Sequence, residues 1–200
     1  MFKPVSRTMF EPSADVVAPA LLGHWLVRTT SQGICAGLIV ETEAYLVGDP
    51  ACHAFVGETA RNRVMWGPPG FAYVYMIYGF HYCVNAVCQP HGVAEAVLIR
   101  AVEATVGLEI MRVNRPAKTP RELTNGPGKL CAAMAIDRTL DGTDLCAPGS
   151  PLVIAENADW GKFLEATGPV VRAKRIGITK AAHRPLRFYL KRSSFVSRVT

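Results

Sequence analysis

The sequence predicts a single mixed α+β domain, on three observations. Its 200 residues fit one compact domain with enough chain to bury a sizeable core. Half of them are hydrophobic and 19% are charged, the balance of an ordinary globular protein. Short β-rich segments and amphipathic ones follow one another with no repeat, low-complexity tract or linker between them.

Ser13 is placed to N-cap a helix running to about Val27, with Val17, Leu21 and Leu22 on its apolar face and Pro19 limiting or kinking it. Ile34 to Leu46 reads as a partly buried strand. From Ala51 to Gly70 periodicity is lost and Gly57, Gly67, Pro68, Pro69 and Gly70 gather, which reads as a long structured loop of the kind that carries function. Phe71 to Tyr78 and Tyr82 to Cys88 read as two aromatic strands of a short hairpin turning at Gly79. Glu95 to Val102 is a third strand and Thr105 to Arg115 an amphipathic helix.

Asn125-Gly126-Pro127-Gly128 introduces a helix from Lys129 to Ile136, whose unpaired N–H groups can hold a phosphate. Strands near Val170 to Lys174, Gly177 to Thr179 and Leu186 to Leu190 extend the sheet, and residues 1–12 are a candidate flexible segment.

The 22 Lys and Arg against 16 Asp and Glu leave a charge of +6, which favours a polyanionic partner, nucleic acid or an anionic membrane surface. Arg172, Lys174, Arg175, Lys180, Arg184, Arg187, Lys191, Arg192 and Arg198 concentrate in the last third, as either a binding face or a solvated surface. The six cysteines form no C-x-x-C pair and most lie among apolar neighbours, so free thiols in a reducing compartment are expected. The first residues lack the apolar core of a signal peptide, and no run approaches the ~20 apolar residues of a membrane span. These features predict a soluble intracellular protein, of cytoplasm or nucleoid if bacterial.

Alternate residues of a strand share a face, so Glu41, Glu43 and Tyr45 project together, away from Thr42 and Ala44. Read alone, the pentapeptide fits two solvated glutamates at a sheet edge as well as it fits a pocket carboxylate beside an aromatic ring. The same period puts Tyr73 and Tyr75 on one face and Tyr78 on the other; Tyr73 reads as packing, and Tyr78, beside the turn, as either packing or an exposed wedge for base pairs. Cys83, Cys88, His81 and His91 do not match zinc-finger spacing. With no P-loop, dinucleotide glycine fingerprint or nucleophile elbow, the enzyme reading is hydrolysis without metal or cofactor.

Taken together, Glu41-Thr42-Glu43-Ala44-Tyr45, Asp49-Pro50-Ala51-Cys52-His53-Ala54, Arg61-Asn62-Arg63, Tyr73-Val74-Tyr75-Met76-Ile77-Tyr78-Gly79 and Asn125-Gly126-Pro127-Gly128-Lys129-Leu130-Cys131 resemble the alkyladenine (3-methyladenine) DNA glycosylase family. The likeness runs in order from about Leu21 to Val199. It implies a curved, mostly antiparallel sheet with flanking helices and a protruding hairpin that inserts into DNA. The implied partner is double-stranded DNA bearing damaged purines, met by a monomer with no membrane association.

By this resemblance Tyr78 fills the space left by a flipped nucleotide, Tyr45 and His53 sandwich the extruded base, and Tyr75 meets it from another side. Glu43 activates a water for attack at C1′, with Arg100 and the main-chain carbonyl of Ile176 holding that water. Asn85 contacts the purine edge and obstructs the amino group of guanine, while Lys129 and Arg138 meet the DNA backbone. No lysine falls among the matched catalytic positions, so the expected product is an abasic site.

Three positions depart from the common pattern: Cys52 for a serine, Trp66 for a phenylalanine and Phe80 for a methionine. They bear on lesion range and hairpin insertion. The competing expectations are a nucleic-acid-binding module without catalysis and a hydrolase of free nucleosides.

Overall fold

The structure, a computed structural model, describes residues 2–197, so Arg198 and Val199 lie outside the described residues. The β-branched and aromatic runs fold as strands and the short amphipathic runs as helices. In chain order these are α1 (Ala14–Ala20), β1 (Trp25–Thr30), β2 (Gly33–Tyr45), β3 (Ala72–Ile77), β4 (His81–Cys88), β5 (Glu95–Val106), α2 (Leu108–Asn114), α3 (Pro120–Thr124), α4 (Pro127–Ala133), β6 (Leu152–Ala155), α5 (Trp160–Thr167), β7 (Val170–Ala173) and β8 (Arg187–Leu190).

The strands form a curled, wholly antiparallel sheet in the order β3-β4-β5-β2-β1-β6, with β8 joining β2 and β7. The long β2 makes the curl possible. Its first half pairs with β1 and its last residues with β8, while β5 runs along its other edge. Every residue of β2 from Cys35 to Ala44 is buried, as a strand covered on both faces must be.

Cross-strand register sorts the two faces. Ala72, Ala86, Val97 and Ala44 stand opposite one another across four strands and enter the main core beneath α1 and α4. One residue along, Tyr73, Asn85, Leu98 and Glu43 form a second row on the opposite face. That face bears the candidate site.

Several expected boundaries move. The first helix ends at Ala20 rather than near Val27, because Pro19 and Gly23, which has φ +84°, turn the chain and Trp25 begins a strand. A side chain at residue 23 would also meet Trp160 at 3.0 Å. Ser13 sits at the N-cap but its hydroxyl engages Asp15 rather than the helix. The third strand continues to Val106, and Gly107 at φ +74° delays the next helix to Leu108.

The helix expected from Lys129 to Ile136 begins at Pro127 and ends at Ala133, before Ala135 adopts φ +50°. Residues 177–179 form no strand: Gly177, at φ +76°, turns the segment away from any ladder. Within the segment 1–12, read as a candidate flexible one, Val5 and Phe10 are buried in the core. No helix among the described residues is long and apolar enough to cross a membrane.

Candidate active site

Two compensating bulges shape the centre of the site. Val40 of β2 and Arg100 of β5 have no residue opposite them, since the pairing steps from Ile39↔Val102 to Glu41↔Ala101 and then to Thr42↔Ile99. A bulge bends its strand and re-aims the side chain it carries. Here it brings Arg100 between two glutamates: Arg100 Nε donates to Glu41 Oε1 at 3.0 Å, and its Nη1 lies 3.3 Å from Glu43 Oε1.

Both glutamates are fully buried, which removes the solvated-edge reading of this pentapeptide. Glu43 Oε1 also accepts the Ile176 N–H at 2.8 Å, and Oε2 accepts the Tyr45 hydroxyl at 3.0 Å. The resemblance assigns Ile176 through its carbonyl; the structure engages its N–H. Burial pushes the Glu43 carboxyl above the ordinary glutamate range, with Glu41 adding to the rise and Arg100, Ile176 and Tyr45 opposing it. Burial likewise raises the Tyr45 phenol, so that Tyr45 stays a donor.

In front of this cluster lies a cavity of about 340 Å³, walled by Tyr45, His53, Tyr73, Tyr75, Asn85, Arg100, Ile176 and neighbours. Glu43 itself is reached through three of those wall residues, Tyr45, Arg100 and Ile176. Five of the sequence-expected pocket residues thus converge, along with Tyr78 at the mouth. Met65, Leu98 and Ile178 also line the wall without having been singled out in the sequence, as does Cys83, which was weighed there only as a metal ligand.

The rings of His53, Tyr73 and Tyr75 pack on one another along one wall. His53, exposed at the rim, packs edge-on to Tyr75 with centroids 4.3 Å apart, and its Nδ1 is 2.9 Å from the Tyr73 hydroxyl. Partial burial, helped by Arg61, lowers the His53 pKa and favours a neutral ring. Asn85 is buried, and its Nδ2 donates to the Tyr73 carbonyl at 3.0 Å.

Tyr78 and Gly79 both adopt positive φ, +52° and +78°, and the Phe80 N–H returns to the Ile77 carbonyl at 3.3 Å. Two positive central residues make a primed type of turn, which sits inside the three-residue connection 78–80 between the paired Ile77 and His81. It throws Tyr78 outward at 77% exposure and Phe80 at 70%, so neither packs in the core. Lys129 and Arg138 lie away from the cavity wall; Lys129 Nζ donates to Asn125 Oδ1 at 2.9 Å, and exposed Arg138 donates to the Val74 carbonyl at 2.8 Å.

Two arginines expected on a basic face are instead buried. Arg187 Nε donates to Glu41 Oε1 at 2.7 Å. Arg175 grips Asp49 with both outer nitrogens, bonds the Ala44 carbonyl and stands 4.7 Å over the Tyr45 ring. Each was needed to neutralise a carboxylate the fold had enclosed. Arg172, Lys174, Lys180, Lys191 and Arg192 remain exposed. Of the departures, Cys52 is buried with its thiol pushed up to about 11, Trp66 is half-buried, and only Phe80 reaches solvent beside Tyr78.

A cavity walled by aromatic rings lies in front of a buried carboxylate and is bordered by an outward-pointing hairpin. Residues 8–194 match the model of the methylpurine-DNA glycosylase family. A protein of Methanoculleus marisnigri, provisionally named a 3-methyladenine DNA glycosylase, is 49% identical over 189 residues, covering 94% of this chain and 96% of the relative. Similarly named proteins of Rhodopseudomonas palustris and Carboxydothermus hydrogenoformans are 50% and 48% identical, covering 97% and 96% of this chain and 90% and 97% of their own. The chain belongs to the methylpurine-DNA glycosylase family. It is a DNA N-glycosylase, a hydrolase of DNA repair.

Proposed function

We propose that this glycosylase flips alkylated or deaminated purines, among them 3-methyladenine, 7-methylguanine, hypoxanthine and ethenoadenine, out of duplex DNA and hydrolyses the N-glycosidic bond with a water activated by Glu43. The observation that carries this reading is the state of the Glu43 carboxylate. A carboxylate has about four lone-pair positions. The Ile176 N–H and the Tyr45 hydroxyl take two of them and Arg100 pairs with Oε1 at 3.3 Å, which leaves acceptor capacity on Oε2 for a water that reaches the buried side chain from the cavity.

The reaction then follows from these groups. Tyr78 enters the duplex as the damaged nucleotide leaves, and the base slides between Tyr45 and His53 against Tyr75, with stacking returning about 1–3 kcal/mol of the unstacking cost. Glu43, kept basic by burial, takes a proton from the water as its oxygen bonds to C1′. The glycosidic electron pair leaves with the purine; an alkylated cation departs neutral without further protonation, and a neutral lesion such as hypoxanthine departs as an anion that takes its proton from solvent. The ionised carboxylate also stabilises positive charge on the sugar, and Arg100 orients it. Asn85 faces the purine edge, where it obstructs the guanine amino group.

No lysine lines the cavity among the described residues, so water is the nucleophile and the product is an abasic site on an intact strand. Lys129, Arg138 and the exposed basic residues hold the backbone, and one chain suffices. The test is a panel of duplexes, each with one lesion, assayed for released base and for strand breaks before and after alkali. Base release with breaks only after alkali is expected. Breaks without alkali would demand an amine nucleophile, and binding without release would reduce the protein to a recognition module.

A further inference from the structure

Glu41 is absent from the chemistry above, yet it is the more heavily held of the two glutamates. Its Oε1 accepts Arg100 Nε at 3.0 Å, Arg187 Nε at 2.7 Å and the Ser197 hydroxyl at 2.9 Å, and its Oε2 accepts the Ser197 N–H at 2.7 Å. Arg100 Nη2 completes the ring with a 3.5 Å contact to the Ser197 hydroxyl. The side chains of Glu41 and Arg187 have no exposed surface, and that of Arg100 only 8%. Three strands and the C-terminal segment thus meet on one carboxylate.

The charges explain why such a hub is present. Arg100 is shared: its Nε serves Glu41 while its Nη1 faces Glu43. A guanidinium is a rigid planar fork, so fixing Nε and one outer nitrogen fixes where the other points. Without Glu41, Arg100 would be free to turn its fork fully onto Glu43 and Arg187 would lose a buried counter-charge. We propose that Glu41 and Ser197 form a positioning clasp: they orient Arg100 so that it holds the Glu43 carboxylate by one edge and leaves the water-binding position open. The C-terminal segment is thereby part of the catalytic apparatus although it lies behind the pocket.

This inference rests on Glu43 as the base, and Glu43→Gln serves as the reference. The experiment measures single-turnover excision against pH for Glu41→Gln and Ser197→Ala, together with ethenoadenine-duplex binding by fluorescence and thermal unfolding. Groups facing Glu43 are Arg100 from β5, Tyr45 and Glu41 from β2, Arg187 from β8, Cys83 from β4 and the Ile176 N–H. Burial is the main cause of the raised Glu43 carboxyl and Glu41 adds to it; Glu41→Gln removes that added charge and frees Arg100 to turn onto Glu43, so the acid limb of the rate profile should move to lower pH. The plateau rate should fall about 10²-fold, the scale of a 1 Å misplacement, with lesion binding unchanged.

Ser197→Ala retains the N–H bond and tests the clasp should Glu41→Gln fold poorly; its plateau should fall about tenfold, the worth of one hydrogen bond to a charged group. Either variant matching the native rate and acid limb per folded molecule overturns the proposal. So does a loss of rate that tracks lost binding and lost folded fraction with an unmoved limb, since that is a structural role. If Glu43→Gln itself still excises, the base assignment fails, and with it the premise rather than the clasp.

Discussion

The Arg175–Asp49 pair ties together the two loops that wall the pocket, and breaking it has a size that follows from its surroundings. Both side chains are fully buried, so the interaction receives no solvent screening. Arg175→Met leaves the Asp49 carboxylate in the interior with the Ala51 N–H, at 3.0 Å, among its remaining donors. An uncompensated buried charge of this kind costs about 3–5 kcal/mol, a large share of the roughly 5–15 kcal/mol that keeps a domain folded. Asp49→Asn should cost a similar amount by stranding the guanidinium.

The double variant Arg175→Met with Asp49→Asn strands neither charge and should be less damaging than the sum by about 1–3 kcal/mol. Urea unfolding of the four proteins closes the cycle. Because Arg175 also stands 4.7 Å over the Tyr45 ring and precedes Ile176, all three variants should bind an ethenoadenine duplex more weakly than the native protein. Single changes below about 1 kcal/mol, or strictly additive ones, would refute the view that this pair is a buried, mutually neutralising clamp.

Two further outcomes are expected. The rate of excision should rise with pH through an acid limb above the ordinary glutamate range, because Glu43 acts only when ionised and burial raises its pKa. The same shift makes the folded state the better proton acceptor at Glu43, so its stability contribution is largest below the ordinary glutamate value and is lost as pH rises through the raised one. A limb at or below the ordinary range, or a flat profile, would contradict this. Tyr78→Ala should unfold at nearly the native temperature, since the ring is 77% exposed, but should reduce the ethenoadenine fluorescence change on binding. Unfolding with normal flipping per folded molecule would make the ring structural.

The sequence disclosed the elements whose signals are local. The period of two in Phe71–Tyr78, broken by Tyr78-Gly79, marks a hairpin within a residue or two of its observed ends. The convergence of Tyr45, His53, Tyr75, Asn85, Arg100 and Ile176 was legible only through the family resemblance, since His53 and Ile176 lie on loops that no local period places. Burial of charge was not legible. Glu41 fits a solvated edge in its pentapeptide, and Arg175 and Arg187 look like members of a basic tail. Their partners are 126 and 146 residues away, and no local pattern reveals pairing at that distance. The strand Leu152–Ala155 is four residues long and the helix Trp160–Thr167 has no fully buried residue, so neither carries enough periodicity to stand out.

The central claim is that Glu43 activates the water that cleaves the glycosidic bond, and Glu43→Gln tests it most directly. The amide keeps the shape of the carboxylate and leaves Tyr45, His53 and Tyr75 in place, but it cannot accept the water's proton. Single-turnover excision from a duplex with one lesion should fall by about 10²–10⁴-fold or more while the lesion is still bound and flipped. Near-native base release by Glu43→Gln at saturating enzyme would contradict the account.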